Sequence, residues 1–302
     1  MEDMKKIDIC YSVEELEKII DDEKYYCLYL AHKDNEGWEK STSRVYMNNL
    51  INNFIYQPID IKKNDFDSLK KIYEFTEEKG NILGINQTQP HKSNPVLKEY
   101  FKGSNLPTNV DAIIRNTKGE LIPYDLNGPS FMSWYKDDVG SFEDKIVIVL
   151  GVGGVGEPLV RAIIKESPKK MFLVDPVDKN SLKDELSPQG NVEYFQKIDD
   201  INIEDLTDLV LINAAGKEGA EDQESVDIFL NQFKDKKYIF VDLRPHMEIP
   251  IVERASKLGW QAYTGHGMNA RNDYVLVQKM TENIKVPVLS FKEFKEKVLR
   301  AS

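Results

Sequence analysis

The sequence feature that most constrains the fold is a short apolar run that passes directly into a glycine-rich loop. Residues 146–150 read IVIVL, which is typical of a buried strand, and residues 151–156 read GVGGVG. Residues 157–165 then have the composition of a helix. A strand, a G-x-G-x-x-G loop and a helix in this order predict the phosphate-binding turn that opens a doubly wound, mostly parallel α/β sheet.

The four glycines of this loop have different physical roles. Gly151 lets the chain turn sharply, Gly153 lets backbone N–H groups approach a pyrophosphate, and Gly156 lets the helix pack closely on the strand. Gly154 stands between them. The N-terminus of the helix adds a partial positive charge that attracts the anion. We therefore predict that these four glycines bind a dinucleotide.

An acidic residue after the next strand bears on which dinucleotide is bound. The predicted strand at residues 170–174 is followed by Asp175, which stands 19 residues after Gly156. An acid at this position hydrogen-bonds the ribose 2′-hydroxyl of NAD and repels the 2′-phosphate of NADP. The sequence therefore favours NAD, with NADP the weaker candidate. The alternative is that Asp175 only opens the turn at Pro176.

A later apolar run, residues 209–212, ends in Asn213 and Ala214. Ligands of open parallel sheets lie beyond the carboxyl ends of the strands. We therefore predict that both residues line the cofactor, although an ordinary strand-to-loop turn would have the same pattern.

Strand-like and helix-like segments alternate along the chain, which predicts an α/β fold with parallel strands covered by helices. The length of 302 residues suits two domains. We predict an α/β substrate-binding domain at residues 1–139 and a Rossmann domain with a doubly wound parallel sheet at residues 140–264. Residues 265–302 are predicted as helices that pack back on the first domain. The first boundary rests on the polar stretch at residues 134–144.

Composition excludes several kinds of partner. The net charge of −11 argues against nucleic acid or an anionic membrane surface, and no apolar run approaches the length of a membrane span. The N-terminus lacks the apolar core of a signal peptide, so we expect a cytoplasmic monomer or homodimer. Cys10 and Cys27 have no metal-like spacing, and the histidines form no cluster with acids, so we expect no metal.

Three further segments carry a family resemblance. Residues 41–43 read STS, residues 86–92 read NQTQPHK, and residues 265–268 read GHGM. Together with the glycine loop they resemble the shikimate/quinate dehydrogenase family, which has Ser-x-Ser, Asn-x-Thr-x-Pro-x-Lys and Gly-x-Gly-Met-x-x-x-Gln in the same order. The order and spacing match over roughly residues 25–285.

The resemblance implies roles for individual residues. Ser41 and Ser43 match the serines that bind the substrate carboxylate, although two hydroxyls near a helix start are also typical N-caps. Thr88 matches a threonine on the substrate side, and Lys92 matches the lysine that handles the proton of the reacting hydroxyl. A positioned lysine is a chemically suitable acid or base. Gly265 begins the last motif and is predicted on the cofactor side.

The chain departs from the family pattern at three substrate-facing positions. The family's catalytic aspartate aligns with Asn127, and its substrate asparagine aligns with Asp111. Its late glutamine aligns with Asn272, which is one methylene shorter. The acid and the amide have thus exchanged positions, and we predict that Asp111 supplies the carboxylate beside Lys92.

These observations predict an NAD-dependent oxidoreductase. The resemblance implies hydride transfer between the nicotinamide and a hydroxyl or ketone of a small cyclic carboxylic acid. One alternative is a dehydrogenase of a related polyol or amino-substituted ring in specialised metabolism. Another is a non-catalytic regulator that binds a dinucleotide, which Asn127 favours and Lys92 opposes.

Overall fold

The computed structural model describes residues 7–32, 47–48, 51–102, 106–202, 206–215, 223–244, 248–282, 284 and 289–296. These residues belong to two compact units. The first unit contains residues 1–126 and 272–302, and the second contains residues 127–271.

The strands of the described residues are β1 (Tyr25–Ala31), β2 (Phe54–Asp60), β3 (Ile82–Gln87), β4 (Ala112–Arg115), β5 (Leu121–Tyr124), β6 (Ile146–Leu150), β7 (Lys170–Val174), β8 (Val192–Phe195), β9 (Leu209–Asn213), β10 (Ile239–Asp242) and β11 (Gln261–Thr264). The α-helices are α1 (Val13–Ile19), α2 (Phe66–Glu78), α3 (Pro95–Tyr100), α4 (Asn127–Asp138), α5 (Gly156–Ile163), α6 (Asn180–Leu186), α7 (Gln223–Gln232), α8 (Pro250–Lys257), α9 (His266–Thr281) and α10 (Phe291–Phe294). A search of the described helices finds none with the length and apolar character needed to cross a bilayer.

The first unit is built on a five-stranded mixed sheet in the order β2-β1-β3-β4-β5. β1 is parallel to β2 and β3, whereas β4 is antiparallel to β3 and β5. Residues 26–31 of β1 are all buried, as expected for a central strand covered on both faces. Pro58 lies in β2, an edge strand of this sheet, where a missing N–H is tolerated.

The second unit is built on a six-stranded parallel sheet in the order β11-β10-β9-β6-β7-β8. Counted from β6, this is the order 6-5-4-1-2-3 of a doubly wound dinucleotide-binding sheet. The predicted α/β fold class is confirmed.

Strand β6 shows why this sheet is covered on both faces. Ile146, Ile148 and Leu150 belong to one apolar cluster, which includes residues of α7 and α8. Val147 and Val149 belong to a second cluster, which includes residues of α4, α5 and α6. Because side chains alternate along a strand, an unbroken apolar run fills both cores.

Residues 134–144 are polar on average, but their aromatic side chains belong to the core of the second unit. Trp134, Tyr135 and Phe142 are buried, and the rings of Tyr135 and Phe142 stack with centroids 3.9 Å apart. The charged residues of this stretch, such as Lys136, remain exposed. The division between the units therefore falls at 126/127, whereas the sequence placed a domain boundary at 139/140.

A buried arginine stabilises the end of α2 in the first unit. The guanidinium of Arg115 donates to the main-chain carbonyls of Ile82 (3.1 Å), Gly119 (2.7 Å), Lys79 (3.2 Å) and Thr76. Burial lowers the pKa of Arg115. The last carbonyls of a helix have no intrahelical donor, so Arg115 satisfies groups that would otherwise be buried without a partner.

We expect the substitution Arg115→Met to lower the free energy of unfolding by about 2 kcal/mol or more, since several buried carbonyls lose a charged donor. Urea unfolding followed by circular dichroism measures this change. The matched control is Arg254→Met, because the side chain of Arg254 is 55% exposed. Equal losses in the two variants would contradict the capping role.

Candidate functional site

The glycine loop joins β6 to α5 in a turn that only glycine fits. Gly151 has a φ of +78°, and a Cβ on it would collide with the main chain of Ala215. A Cβ on Gly156 would collide with the carbonyl of Gly151. Both positions therefore require glycine for steric reasons within the chain itself.

Gly153 is different because a Cβ on it would meet no atom within 4 Å. The residue is exposed at the start of α5, so the chain itself does not require a glycine there. Open space beside backbone N–H groups at a helix N-terminus is what a pyrophosphate needs. The residues of the loop therefore fit a dinucleotide.

Asp175 braces this loop from the end of β7. Its buried carboxylate accepts the Val152 N–H at Oδ2 (2.7 Å) and the Val177 N–H at Oδ1 (2.8 Å). Asp175 therefore shapes both its own turn and the glycine loop. A carboxylate has about four lone-pair sites, so each oxygen can accept a further hydrogen bond from a ribose hydroxyl.

A second buried carboxylate lies at the end of β10. Asp242 is fully buried, and its Oδ2 accepts the Asn213 side-chain amide at 2.9 Å. Arg244 donates to Oδ1 through Nε and to Oδ2 through Nη2, each at 2.8 Å. This hydrogen bonding raises the pKa of Arg244. Sequence reasoning assigned Asn213 to the cofactor but missed Asp242 and Arg244 as functional candidates. The available signal was an acid at the end of a predicted strand.

The remaining predicted cofactor residues follow β9 and β11, the two strands that flank β10 in the sheet. Ala214 follows β9 and donates its N–H to the Leu150 carbonyl at 2.8 Å. Gly265 follows β11 and donates to the Arg244 carbonyl at 3.0 Å. A Cβ on Gly265 would collide with the carbonyl of Leu243, so this glycine is explained by packing between two loops.

In the first unit, Lys92 and Asp111 form a direct ion pair. Lys92 Nζ lies 2.5 Å from Asp111 Oδ1, and Asp111 Oδ2 accepts the Leu126 N–H at 2.8 Å. The side chains of Lys92 and Asp111 are 19% and 4% exposed. The structure thus brings together the two residues that the sequence paired, while their catalytic roles stay predictions.

Backbone contacts explain why these two side chains meet. Lys92 lies in a single 3₁₀ turn after β3, and its carbonyl accepts the Val110 N–H at 2.7 Å. Beside it, the buried ring of His91 interacts through Nε2 with the carbonyls of Ala31 (3.3 Å) and Ile61 (3.0 Å). Burial lowers the pKa of His91, consistent with a structural histidine that anchors the turn.

The other predicted substrate residues are less closely defined. Thr88 follows β3, where its N–H and Oγ1 lie 3.0 and 3.4 Å from the Leu30 carbonyl. Asn127 is the buried first residue of α4, and Asn272 is half-buried in α9. Ser41 and Ser43 lie outside the described residues. Within the described segments, no group of three or more His, Cys, Asp or Glu side chains could hold a metal ion.

Comparison with known proteins gives a consistent result. No protein-family model matches the chain. Shikimate dehydrogenase (NADP(+)) of Aquifex aeolicus is 24% identical over 231 residues, which cover 74% of the chain and 81% of the relative. The corresponding enzyme of Caldicellulosiruptor saccharolyticus is 23% identical over 155 residues, so the chain matches about half the length of that relative (53%).

Solved structures show the same fold over nine-tenths of the chain. Shikimate 5-dehydrogenase of Listeria monocytogenes, in complex with shikimate and NAD, has a TM-score of 0.72 at 16% identity and covers 92% of this chain and 97% of that one. The ligand-free 5-ketofructose reductase of a Gluconobacter species has a TM-score of 0.69 at 16% identity, with coverage of 92% and 99%. One fold therefore serves more than one substrate.

The fold is thus that of the two-domain α/β shikimate and quinate dehydrogenases. In sequence, the chain is similar to shikimate dehydrogenases, at 23–24% identity to the two relatives above. The resemblance predicted from the sequence is confirmed.

We expect Gly153→Val to fold normally but to lose dinucleotide binding, because the new side chain meets no protein atom and would occupy the path of the pyrophosphate. The Kd for NADH, measured by fluorescence titration, should rise about 10-fold or more. Gly80→Val in the first unit is the control, because a Cβ there also meets no atom within 4 Å. Unchanged NADH affinity in Gly153→Val would leave the loop with only a structural role.

Proposed function

We propose that the chain is an NAD-dependent oxidoreductase that transfers a hydride between the nicotinamide and a hydroxyl or ketone of a small cyclic carboxylic acid. The observation that carries this proposal is the ion pair of Lys92 and Asp111, which has a mostly buried cation beside a buried carboxylate. A lysine held within hydrogen-bond distance of a carboxylate is an arrangement suited to acid/base chemistry.

Reduction of a ketone to an alcohol requires a proton at the carbonyl oxygen, and oxidation requires its removal. Lys92 can donate this proton as an ammonium and can take it back as an amine. Asp111 supplies the counter-charge that a cation taken partly out of water needs. The acid/base pair is thus complete although Asn127 stands where the family has its aspartate.

The cofactor would be held by the second unit. The loop at residues 151–156 would bind the pyrophosphate, and Asp175 would accept a hydrogen bond from the adenosine ribose. When bound, NAD supplies the hydride acceptor for oxidation, and NADH supplies the donor for reduction.

The substrate carboxylate would bind the hydroxyls of Ser41 and Ser43, as the family resemblance implies. Thr88 and Asn272, which both belong to the first unit, would face the ring. The differences from the family concentrate at such positions, which supports a substrate other than shikimate itself.

We expect Lys92→Ala to lower kcat about 100-fold or more, the usual scale for a positioned acid or base. Asp111→Asn should be nearly as damaging, because it leaves the ammonium without its counter-charge. Turnover is measured with NAD and a panel of cyclic hydroxy acids that includes shikimate and quinate.

Two variants control this experiment. Lys98→Ala removes an exposed lysine of α3 and should leave kcat unchanged. Asn127→Asp should change kcat only slightly, or should extend turnover to shikimate-like acids. If Lys92→Ala keeps wild-type kcat, another residue is the acid/base. If the wild type binds NADH but turns over no member of the panel, the non-catalytic alternative is favoured.

We also expect NADH to bind at least about 10-fold more tightly than NADPH, because the 2′-phosphate of NADPH would meet the carboxylate of Asp175. Asp175→Asn should lower the ratio of the NADPH Kd to the NADH Kd. Asp178→Asn, which changes an exposed acid three residues further on, should leave it unchanged. Equal or tighter binding of NADPH to the wild type would overturn the NAD preference.

A further inference from the structure

Arg244 and Asp242 form a charged cluster that neither the glycine loop nor the Lys92 pair explains. Asp242 is fully buried and accepts four hydrogen bonds: two from the Arg244 guanidinium, one from the Arg244 main-chain N–H (3.1 Å) and one from the Asn213 amide. Burying a carboxylate and a guanidinium carries a large desolvation cost, and an apolar replacement is often as stable. A role beyond stability would account for such a pair.

The cluster holds together three loops at the carboxyl edge of the parallel sheet. The end of β9 contributes Asn213, whose carbonyl accepts the Leu243 N–H at 2.9 Å. The loop after β11 begins with Gly265, whose N–H donates to the Arg244 carbonyl. The position of the guanidinium is therefore fixed by three strand ends.

The strand order indicates which part of a dinucleotide would reach this edge. The pyrophosphate belongs at the loop after β6, and the adenosine ribose belongs at Asp175 after β7. The nicotinamide half of the dinucleotide must then extend to the opposite side of β6, over β9 and β10. Two strand spacings of about 4.8 Å place the end of β10 roughly 10 Å from that of β6.

The guanidinium has donors left for a ligand. Two of its five N–H groups go to Asp242, and the other three make no hydrogen bond within the described part of the chain. The side chain is 26% exposed. Because Asp242 balances its charge, Arg244 can approach the cationic ring of the oxidised cofactor without a net repulsion.

We propose that Arg244, clamped by the buried carboxylate of Asp242, binds the nicotinamide half of the dinucleotide through its carboxamide or ribose oxygens. Asp242 is then a positioning residue. This inference rests on the proposed dinucleotide function and adds two residues to it.

The test compares two probes, NADH and ADP-ribose, the second of which lacks the nicotinamide. Their Kd values are measured by calorimetry for the wild type, Arg244→Gln and Arg244→Lys. We expect Arg244→Gln to raise the Kd for NADH about 10-fold or more and the Kd for ADP-ribose less than about 3-fold. Arg244→Lys, which keeps the charge but not the planar fork, should recover part of the NADH affinity.

Arg254→Gln is the matched control, since it breaks an exposed ion pair with Asp227 in the same unit. It should change neither Kd. Equal weakening of both probes in Arg244→Gln, or unchanged NADH binding, would overturn the assignment while leaving the dinucleotide site intact. If the wild type binds neither probe, the proposed function fails and this inference fails with it.

Discussion

The carboxylate of Asp111 is the interaction on which the candidate substrate site depends. One oxygen holds the Lys92 ammonium, and the other accepts the Leu126 N–H. The residue is 3% exposed, so removing it would leave a cation in a poorly hydrated place. The same group therefore orders the local backbone and supplies a counter-charge to the Lys92 ammonium.

The second unit uses buried carboxylates in the same manner. Asp175 follows β7 and accepts the N–H groups of Val152 in the glycine loop and of Val177 in its own turn. Asp242 ends β10 and accepts the N–H of Arg244 in the turn that follows. The turns that follow the carboxyl ends of parallel strands have backbone N–H groups without a partner in the sheet. One acidic side chain can accept hydrogen bonds from several of these groups. The turns at this edge of the sheet are thereby held in place.

Asp111 and Asn127, which we predict to have exchanged acid and amide relative to the family, belong to different elements of the fold. Asp111 precedes β4, and Asn127 begins α4. The carboxylate beside Lys92 comes from a position fixed by the sheet, since the Asp111 carbonyl accepts the Gln87 N–H at 2.7 Å. Backbone contacts within the first unit are therefore enough to fix where this carboxylate lies.

Short-range patterns in the sequence determined much of this protein. The apolar run of β6, the glycines after it and the strand at residues 170–174 were all predicted within a residue of their observed positions, because side-chain periodicity and glycine sterics act over a few residues. The contact between Lys92 and Asp111 was predicted only through the family resemblance.

Only the tertiary structure decided which distant side chains share a partner. Trp134 and Phe142 stand in a stretch that is polar on average, yet both belong to the core because the charged residues among them face solvent. Asn213 and Asp242 are 29 residues apart and meet because β9 and β10 are neighbours in the sheet. Strand order is a property of the whole packed domain, so no local pattern could have revealed that Asn213 and Arg244 share one carboxylate.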